Sequence, residues 1–381
     1  MLPLGFVAFL IFGVVLVLVG ANQADLAAAM DLDMQDSGLL GASLSLGLGL
    51  GVLIGGPLID RYPRRPLFCG ATLVAGLALV STTAEMELVR AASHVGLAGL
   101  GCGLFETVLN VIATERYGEK ASRPVTFLHM AATLGAVVGA PLLAAIAVEG
   151  GFVAGFQATG IAILGLSLWG LVAPALGVSV APPESPQPTP RPRDLLAHPI
   201  LVGLCLVSFA YIGVEAALTI FAIPYADGVL GLPSYDGQMA ISTFWLGLLV
   251  GRLLLLASSN EFQPRLFLLS GAAMATLVAI ATGLRWVQIE AWFGLTGLIL
   301  AGVFPALVTL AGRAFPESRG TAIGLAVGAG SLGGFVIPWA VGWTGDFAGV
   351  RLAVGGLALG GVAIAGVALF LMRSPRLLAN H

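Results

Sequence analysis

Long apolar stretches recur along the whole chain, and each is long enough to form a helix that crosses a membrane. Such a helix needs about 20 mostly apolar residues, and twelve stretches of this kind can be placed. They are predicted at 4–29, 37–58, 66–83, 88–113, 123–147, 152–176, 199–224, 236–257, 264–283, 288–313, 320–341 and 349–372. The pattern therefore predicts an all-α membrane protein, and we number the twelve predicted helices spans 1 to 12.

Positively charged residues fall almost entirely on one side of this predicted bundle. If the N-terminus lies in the cytoplasm, only Arg90, Arg285 and Arg351 of the 17 Arg and Lys residues fall outside, in keeping with the positive-inside rule. Arg252 is counted here with the inner connection that follows span 8. One missed or extra helix would remove this bias, so the count of twelve and the cytoplasmic placement of both termini support each other. The short loops are typical of a bacterial plasma (inner) membrane protein.

The longest connection, 177–198, is rich in proline, which favours an extended and semi-rigid spacer. We predict that this spacer is cytoplasmic. It separates an N-terminal six-helix bundle, 1–176, from a C-terminal six-helix bundle, 199–381.

The two predicted bundles repeat each other in sequence. Gly103-Leu-Phe105 in span 4 has a counterpart in Gly302-Val-Phe304 in span 10. Pro141 in span 5 has a counterpart in Pro338 in span 11. Two six-helix pseudo-repeats of this kind are the plan of a large class of transporters, whose substrate site lies between the halves.

Composition excludes several other classes of protein. Hydrophobic residues make up 58% of the chain and charged residues only 10%, too few to cover the surface of a water-soluble domain of this size. The net charge of −3 lacks the basic excess that nucleic-acid binding requires. We therefore expect a protein embedded in the lipid bilayer, with no nucleic-acid partner. It is expected to function as a monomer, because each chain carries both halves.

The residues show no pattern for an enzyme, a metal centre or a bound cofactor. The cysteines, Cys69, Cys102 and Cys205, are not at C-x-x-C spacing, and no His, Cys and carboxylate residues have the spacing of zinc ligands. The sole lysine, Lys120, lies in a predicted loop and not in a phosphate-binding motif. We therefore predict no catalytic residues, no metal, no cofactor and no ATP-driven transport.

Three acidic residues, Asp25, Glu106 and Glu215, lie within predicted spans. A carboxylate in the hydrocarbon region is costly and usually faces the bundle interior or a water-filled cavity, so each is a candidate for function. Asn110 follows Glu106 by about one helical turn on the same face. A carboxylate beside an amide can bind sugar hydroxyls, which both donate and accept hydrogen bonds. The competing interpretation of Glu106 is a structural bond to a helix backbone.

Span 7 carries a polar stripe of Tyr211, Glu215 and Thr219 at helical spacing. An aromatic ring can stack on the apolar face of a sugar while the carboxylate binds a pair of hydroxyls, so Tyr211 and Glu215 are predicted substrate-binding residues. Trp245 in span 8 is a further candidate for stacking. A lone tryptophan in a membrane helix also commonly serves in packing or in the interfacial belt.

Further polar candidates lie in spans 1 and 5. Asn22 and Asp25 share one helix face; Asn22 is a candidate substrate contact, and Asp25 is either functional or a solvated helix-end residue. In a straight first helix Asp25 lies about 30 Å from the inner surface. Glu106 lies nearer the inner third of span 4, so proton exchange between the two requires a broken or tilted first helix. His129 can bond Asn110, relay a proton, or simply reach toward the inner surface.

The connection after span 2 reads Gly56-Pro-Leu-Ile-Asp60-Arg61-Tyr-Pro-Arg64-Arg65. It resembles the G-x-L-x-D-R-x-G-R-R loop of the major facilitator superfamily, with proline at position 63 in place of the family's glycine. Asp60, Arg61, Arg64 and Arg65 are therefore predicted to form a gating loop that docks against a helix end. The simpler alternative is that these arginines only follow the positive-inside rule.

A set of polar motifs is similar to those of one branch of that superfamily, the fucose–proton symporter family, which includes glucose and galactose carriers. They are Asn22-x-x-Asp25 in span 1, Glu106-Thr-x-x-Asn110 in span 4, Tyr211-x-Gly-x-Glu215 in span 7, Gly251-Arg252, and Pro338-x-x-x-Gly-x-x-x-Asp346 at the end of span 11. The resemblance implies that Asp25 and Glu106 couple sugar entry to proton entry. The family's fucose carrier has glutamine where Glu215 and His129 stand here.

Together with this resemblance, the sequence predicts a secondary active transporter that takes up a sugar or similar small polar solute by symport and alternating access. The expected coupling ion is H+, with Na+ left open. Two other interpretations remain. One is proton-driven efflux of hydrophobic compounds, for which the same fold and loop are used; the other is a non-transporting membrane sensor or assembly protein.

Overall fold

The computed structural model of the chain describes residues 2–117, 122–176, 195–257 and 264–373, and these residues form helices and short connections without a strand. Twelve helical passes follow one another. Spans 1 to 6 are Leu2–Ala21 with Gln23–Met30, Met34–Arg61, Arg64–Val80, Leu88–Tyr117, and both passes of Ser122–Val172. Spans 7 to 12 are Pro199–Leu230, Ser234–Ala257, Pro264–Leu284, Ile289–Leu300 with Val303–Ala314, Arg319–Ala348, and Val350–Gly355 with Ala358–Met372.

The predicted count of twelve membrane helices is confirmed. In the described residues, 10 helices are long and apolar enough to cross a membrane. Ser122–Val172 counts once among them but contains spans 5 and 6, which are divided at Gly151, where φ is 62° and ψ is −173°. A positive φ suits glycine, which has no Cβ. Span 3, Arg64–Val80, is not among the 10 helices because it has only 17 residues, and it is the twelfth pass.

Span 1 is a broken helix. Its first part ends at Ala21, and the second begins at Gln23. A break in a membrane helix frees backbone carbonyls, which need other partners. The Asn22 side chain donates to the Leu18 carbonyl at 2.8 Å, and Gln238 of span 8 donates to the Ala21 carbonyl at 2.9 Å. The predicted continuous helix over 4–29 is therefore interrupted where the two halves of the molecule meet.

Close backbone approaches hold the helices of each half together, and they repeat between the halves. A Cβ built on Gly47 of span 2 would lie 2.0 Å from the Gly96 carbonyl oxygen of span 4. A Cβ built on Gly247 of span 8 would lie 2.0 Å from the Gly294 carbonyl oxygen of span 10. Only glycine permits these crossings, which is a common way to pack helices where lipid removes the hydrophobic driving force. The structure thus has two six-helix pseudo-repeats.

The bundle has two chemically different ends. The basic end, where spans 2 and 3, 4 and 5, and 10 and 11 join, carries Arg61, Arg64, Arg116 and Arg313. The acidic end is the opposite one, where spans 1 and 2, 7 and 8, and 11 and 12 join, and it carries Asp31, Asp33, Asp227, Asp236 and Asp346. The predicted proline-rich linker cannot be placed, because residues 177–194 lie outside the described residues.

The two halves meet chiefly along spans 2 and 11 and along spans 5 and 8, and spans 2 and 11 separate toward the basic end. Near the acidic end, a Cβ built on Gly38 would lie 2.6 Å from the Pro338 carbonyl oxygen, and in the middle of both spans one on Gly49 would lie 2.6 Å from the Ser331 Cβ. Farther along, a Cβ on Gly328 would lie 3.8 Å from Leu53, and one on Gly324 would have nothing within 4 Å. The halves are therefore closed at the acidic end and diverge toward the basic end.

Candidate functional site

A helix cap that crosses between the halves seals the acidic end. Asp346, at the end of span 11, accepts hydrogen bonds from the backbone N–H groups of Met34 at 3.0 Å and Gln35 at 2.8 Å. Asp33 accepts from the N–H of Asp36 at 2.7 Å. The first three N–H groups of span 2, which have no partner within the helix, are therefore all bonded to carboxylates, two of them to the other half.

A cavity lies deeper between the halves. It has a volume of about 80 Å³ and is bounded by spans 1, 2, 7 and 8. Its polar lining comes from Glu215, Thr219, Ser45 and Trp245. Ligand pockets usually measure roughly 300–1,000 Å³, so this cavity is small for a complete solute site.

A chain of polar side chains starts at this cavity. Tyr211 donates its hydroxyl proton to Oε2 of Glu215 at 2.6 Å. Arg252 donates from Nη2 to the Tyr211 oxygen at 3.4 Å and from Nη1 to Oγ1 of Thr133 at 2.7 Å. The ring of Tyr211 also stacks on Phe304, with centroids 6.3 Å apart. Tyr211, Glu215 and Trp245, all predicted from sequence as substrate-binding residues, thus gather around one region, and the chain extends into span 5 of the N-terminal half.

Arg252 does not lie in a connection at the inner surface, where the charge count had placed it. It lies within span 8, which continues to Ala257, and its side chain is only partly exposed. Sequence reasoning therefore missed it as a site residue. The rule that singled out the three intramembrane acids would also have found it, because an arginine inside an apolar stretch is equally costly.

Glu106 and Asn110 form a second polar pair in span 4. Both side chains are partly buried and lie about one helical turn apart on the same face. The Asn110 oxygen is buried and has no hydrogen-bond partner among the described residues. Neither residue lines the cavity. The pair keeps an unused acceptor, but the structure does not join it to the Glu215 network.

The structure does not bring Asp25 and Glu106 together. Asp25 is exposed on the short helix Gln23–Met30, beyond the break in span 1. Glu106 lies 18 residues from the first residue of span 4, which corresponds to about 27 Å of helix from the acidic end. Asn22 is buried and faces Gly155 of span 6, away from the cavity.

His129 does not take the place that the sequence suggested beside Asn110. Its ring packs edge-on against Phe9, with centroids 5.1 Å apart. It lies one turn before Thr133 in span 5, and its backbone carbonyl accepts the Thr133 hydroxyl at 3.0 Å. His129 therefore borders the Arg252 contact.

The basic loop after span 2 binds within its own half. Arg64 pairs with Glu115 at the end of span 4 at 2.5 Å, and Arg65 donates to the Ala173 carbonyl after span 6 at 3.1 Å. Arg61 is exposed, while the side chain of Asp60 lies outside the described residues. Arg64 and Arg65, in the first turn of span 3, thus tie span 3 to spans 4 and 6, and the gating role of the loop stays a prediction.

The indole N–H of Trp245 is a buried donor at the cavity. The side chain is 4% exposed, and Nε1 has no hydrogen-bond partner among the described residues. A buried donor without a partner is costly. Trp245 thus offers the cavity both an aromatic face and a free donor.

The described residues hold no group of three or more His, Cys, Asp or Glu side chains that can bind a metal ion. The largely apolar cavity is lined by the carboxylate of Glu215 and the indole of Trp245. The phenol of Tyr211 and the guanidinium of Arg252 continue from that carboxylate. This set suits recognition of a small solute with several hydrogen-bonding groups.

Comparison of the sequence with known proteins gives relatives that differ in their transported compounds. The chain is 24% identical to the 3-(3-hydroxy-phenyl)propionate transporter of Escherichia coli, over 90% of this chain and 86% of that protein. It is 28% identical to the multidrug resistance protein MdtH of Aeromonas salmonicida, over 79% and 77%. It is 25% identical to a glucose/galactose transporter of Brucella abortus, over 69% and 65%.

Solved structures share the fold. A D-xylose-proton symporter superposes with a TM-score of 0.76 at 16% identity, over 98% of this chain and 96% of that one. A bacterial homologue of the human lysosomal transporter Spinster, in an inward-facing and unoccupied conformation, superposes with a TM-score of 0.75 at 16% identity, over 99% and 97%. The family model of the Major Facilitator Superfamily matches residues 2–293, and the chain therefore belongs to this superfamily of membrane transporters.

Proposed function

We propose that this protein is a secondary active transporter that carries a small polar solute, with a sugar as the leading candidate, together with protons. The observation that carries the proposal is the placement of Glu215 and Trp245 at a cavity between the two halves, with Tyr211 hydrogen-bonded to Glu215 behind it. Their carboxylate and indole N–H match the accepting and donating character of a hydroxyl group. The glucose/galactose carrier among the relatives supports the same solute class.

The transport cycle follows from the way in which the halves meet. The acidic end is closed by the Asp346 cap, while spans 2 and 11 diverge toward the basic end. We propose that the basic end faces the cytoplasm, so this conformation opens inward, like the Spinster homologue. Rocking of one half against the other would expose the cavity to each side in turn.

Coupling to protons has a simple electrostatic reason. A charged carboxylate is costly in a closed, desolvated site. The change of conformation with solute bound therefore favours carboxyl groups that are neutralised by protons. Glu106, one helical turn from Asn110, and Glu215, the acceptor of Tyr211, are the proposed proton carriers. Asp25 remains a proposed coupling residue on the resemblance alone. A Na+ ion at the same carboxylates is the alternative coupling ion.

Efflux of hydrophobic compounds is a second candidate function. It is favoured by the multidrug resistance relative and by the mainly apolar lining of the cavity, which includes Leu16, Val19, Leu44 and Ile220. Two assays in cells or vesicles that contain the protein distinguish these functions. Uptake of labelled hexoses indicates sugar transport, whereas extrusion of a fluorescent apolar dye indicates efflux.

The same assay tests the proposed roles of the carboxylates. Uptake of a hexose that is lost in Glu106→Gln and Glu215→Gln but kept in Glu87→Gln, an exposed glutamate before span 4, supports the proposal. Dye extrusion without uptake of any sugar contradicts it and favours the efflux function.

A further inference from the structure

Arg252 joins three helices from both halves of the molecule. It lies on span 8, reaches Thr133 on span 5 at 2.7 Å, and reaches Tyr211 on span 7 at 3.4 Å. Span 5 belongs to the N-terminal half, whereas spans 7 and 8 belong to the C-terminal half. The guanidinium therefore forms a polar bridge between the two moving parts.

The charge of Arg252 requires an anionic partner. A guanidinium stays protonated in proteins, and a cation in the membrane region is costly unless it is paired or reaches water. The carboxylate of Glu215 supplies the negative charge through Tyr211, whose hydroxyl donates to Oε2 at 2.6 Å. Arg252 and Glu215 thus share Tyr211 as a common hydrogen-bond partner.

The hydrogen bonds along this chain run in one direction. Arg252 has donors and no acceptor, and a tyrosine hydroxyl has one proton. With Arg252 donating to its oxygen, Tyr211 must give its proton to Glu215. If Glu215 is protonated, Tyr211 can still donate to the uncharged oxygen of the acid, but it loses the charge-assisted bond to a carboxylate, and Arg252 loses the nearby negative charge. The arrangement is therefore strongest with an ionised Glu215.

We propose that Arg252 is a positioning residue that carries the state of the solute site to the N-terminal half. A proton on Glu215 removes the countercharge of Arg252 and weakens the acceptor of Tyr211, so the bridge from Arg252 to Thr133 weakens and spans 5 and 8 are free to move. This inference deepens the proposed transport function and rests on it.

A double-mutant cycle tests the charge pair independently of transport. Arg252→Gln leaves Glu215 without its cation and is expected to lower the melting temperature of the purified protein. Glu215→Gln added to it removes the lone charge and is expected to recover most of that loss. Arg265→Gln, at an exposed arginine of span 9, is the matched control. Stability losses that simply add would overturn the pairing.

Transport measurements test the positioning role. Arg252→Lys keeps the charge but loses the planar fork of donors, so we expect solute exchange across the membrane to persist while net uptake falls by about 10- to 100-fold, as for a lost hydrogen bond to a charged group. Equal losses in exchange and net uptake would overturn the role. If the native chain moves no sugar, the proposed function fails, while the stability cycle still reports on the Arg252–Glu215 pair.

Discussion

The carboxylate of Asp346 caps span 2 from the other half at the acidic end, and removing it should shift the balance between the two conformations. Asp346→Ala deletes both acceptors for the N–H groups of Met34 and Gln35 and removes a negative charge from a helix N-terminus. Loss of a helix cap costs about 0.5–2 kcal/mol, and loss of the charge about 0.3–1 kcal/mol.

The expected shift lies at the lower end of these ranges. Asp346 is exposed, so water can take over the two freed N–H groups. A change of about 1 kcal/mol raises the population that is open at the acidic end roughly fivefold. Asp346→Asn should lie between the native chain and Asp346→Ala, because an amide oxygen can still cap a helix.

Labelling of a cysteine below the seal measures this shift. Ser45→Cys lines the cavity, and a membrane-impermeant maleimide added at the acidic face reaches it only when that end opens. The labelling rate should rise about fivefold in Asp346→Ala and stay unchanged in the control Asp227→Ala, at an exposed aspartate of the same end. An unchanged rate in well-folded Asp346→Ala would refute the assignment of Asp346 as the seal.

Two further changes test the packing and the site. Gly247→Ala places a Cβ 2.0 Å from a backbone oxygen, so it should abolish the yield of folded protein in size-exclusion chromatography. The control Gly366→Ala, whose Cβ would have nothing within 4 Å, should leave that yield unchanged. A normal yield of Gly247→Ala would contradict the close packing of spans 8 and 10. Trp245→Phe keeps an aromatic ring but loses the free N–H, so the KM for the solute should rise by about 5- to 10-fold, as for one hydrogen bond. Trp169→Phe, on a half-exposed tryptophan of span 6, should transport normally, and an unchanged KM in Trp245→Phe would rule out the indole as a solute contact.

Most of the fold could be predicted because a membrane imposes a strict length and composition on each helix. Runs of apolar residues marked the passes even where a helix is short, as in Arg64–Val80, or where two helices are continuous, as in Ser122–Val172. The break at Asn22 was harder to see. The break depends on side chains that donate to two freed carbonyls. One of these donors, Gln238, lies in the other half of the chain.

The candidate site could be predicted only in part. Periodicity placed Tyr211 and Glu215 on one face of a helix, and the structure joins them by a hydrogen bond. The partnership with Arg252 and Thr133 depends on how spans 5, 7 and 8 meet, which no local pattern reveals. For the same reason Asp346 was recognised only as part of a motif, and its bonds to span 2 emerged from the three-dimensional arrangement.

The central claim, that movement of a small polar solute is coupled to movement of protons, is tested most directly by proton flux. The native protein is placed in proteoliposomes with a pH-sensitive dye inside, and hexoses, deoxyhexoses and pentoses are added outside one at a time. The account predicts acidification of the lumen with at least one sugar and its loss in Glu106→Gln. Sugar uptake without any acidification, or no response to any sugar in vesicles that contain folded protein, would contradict it.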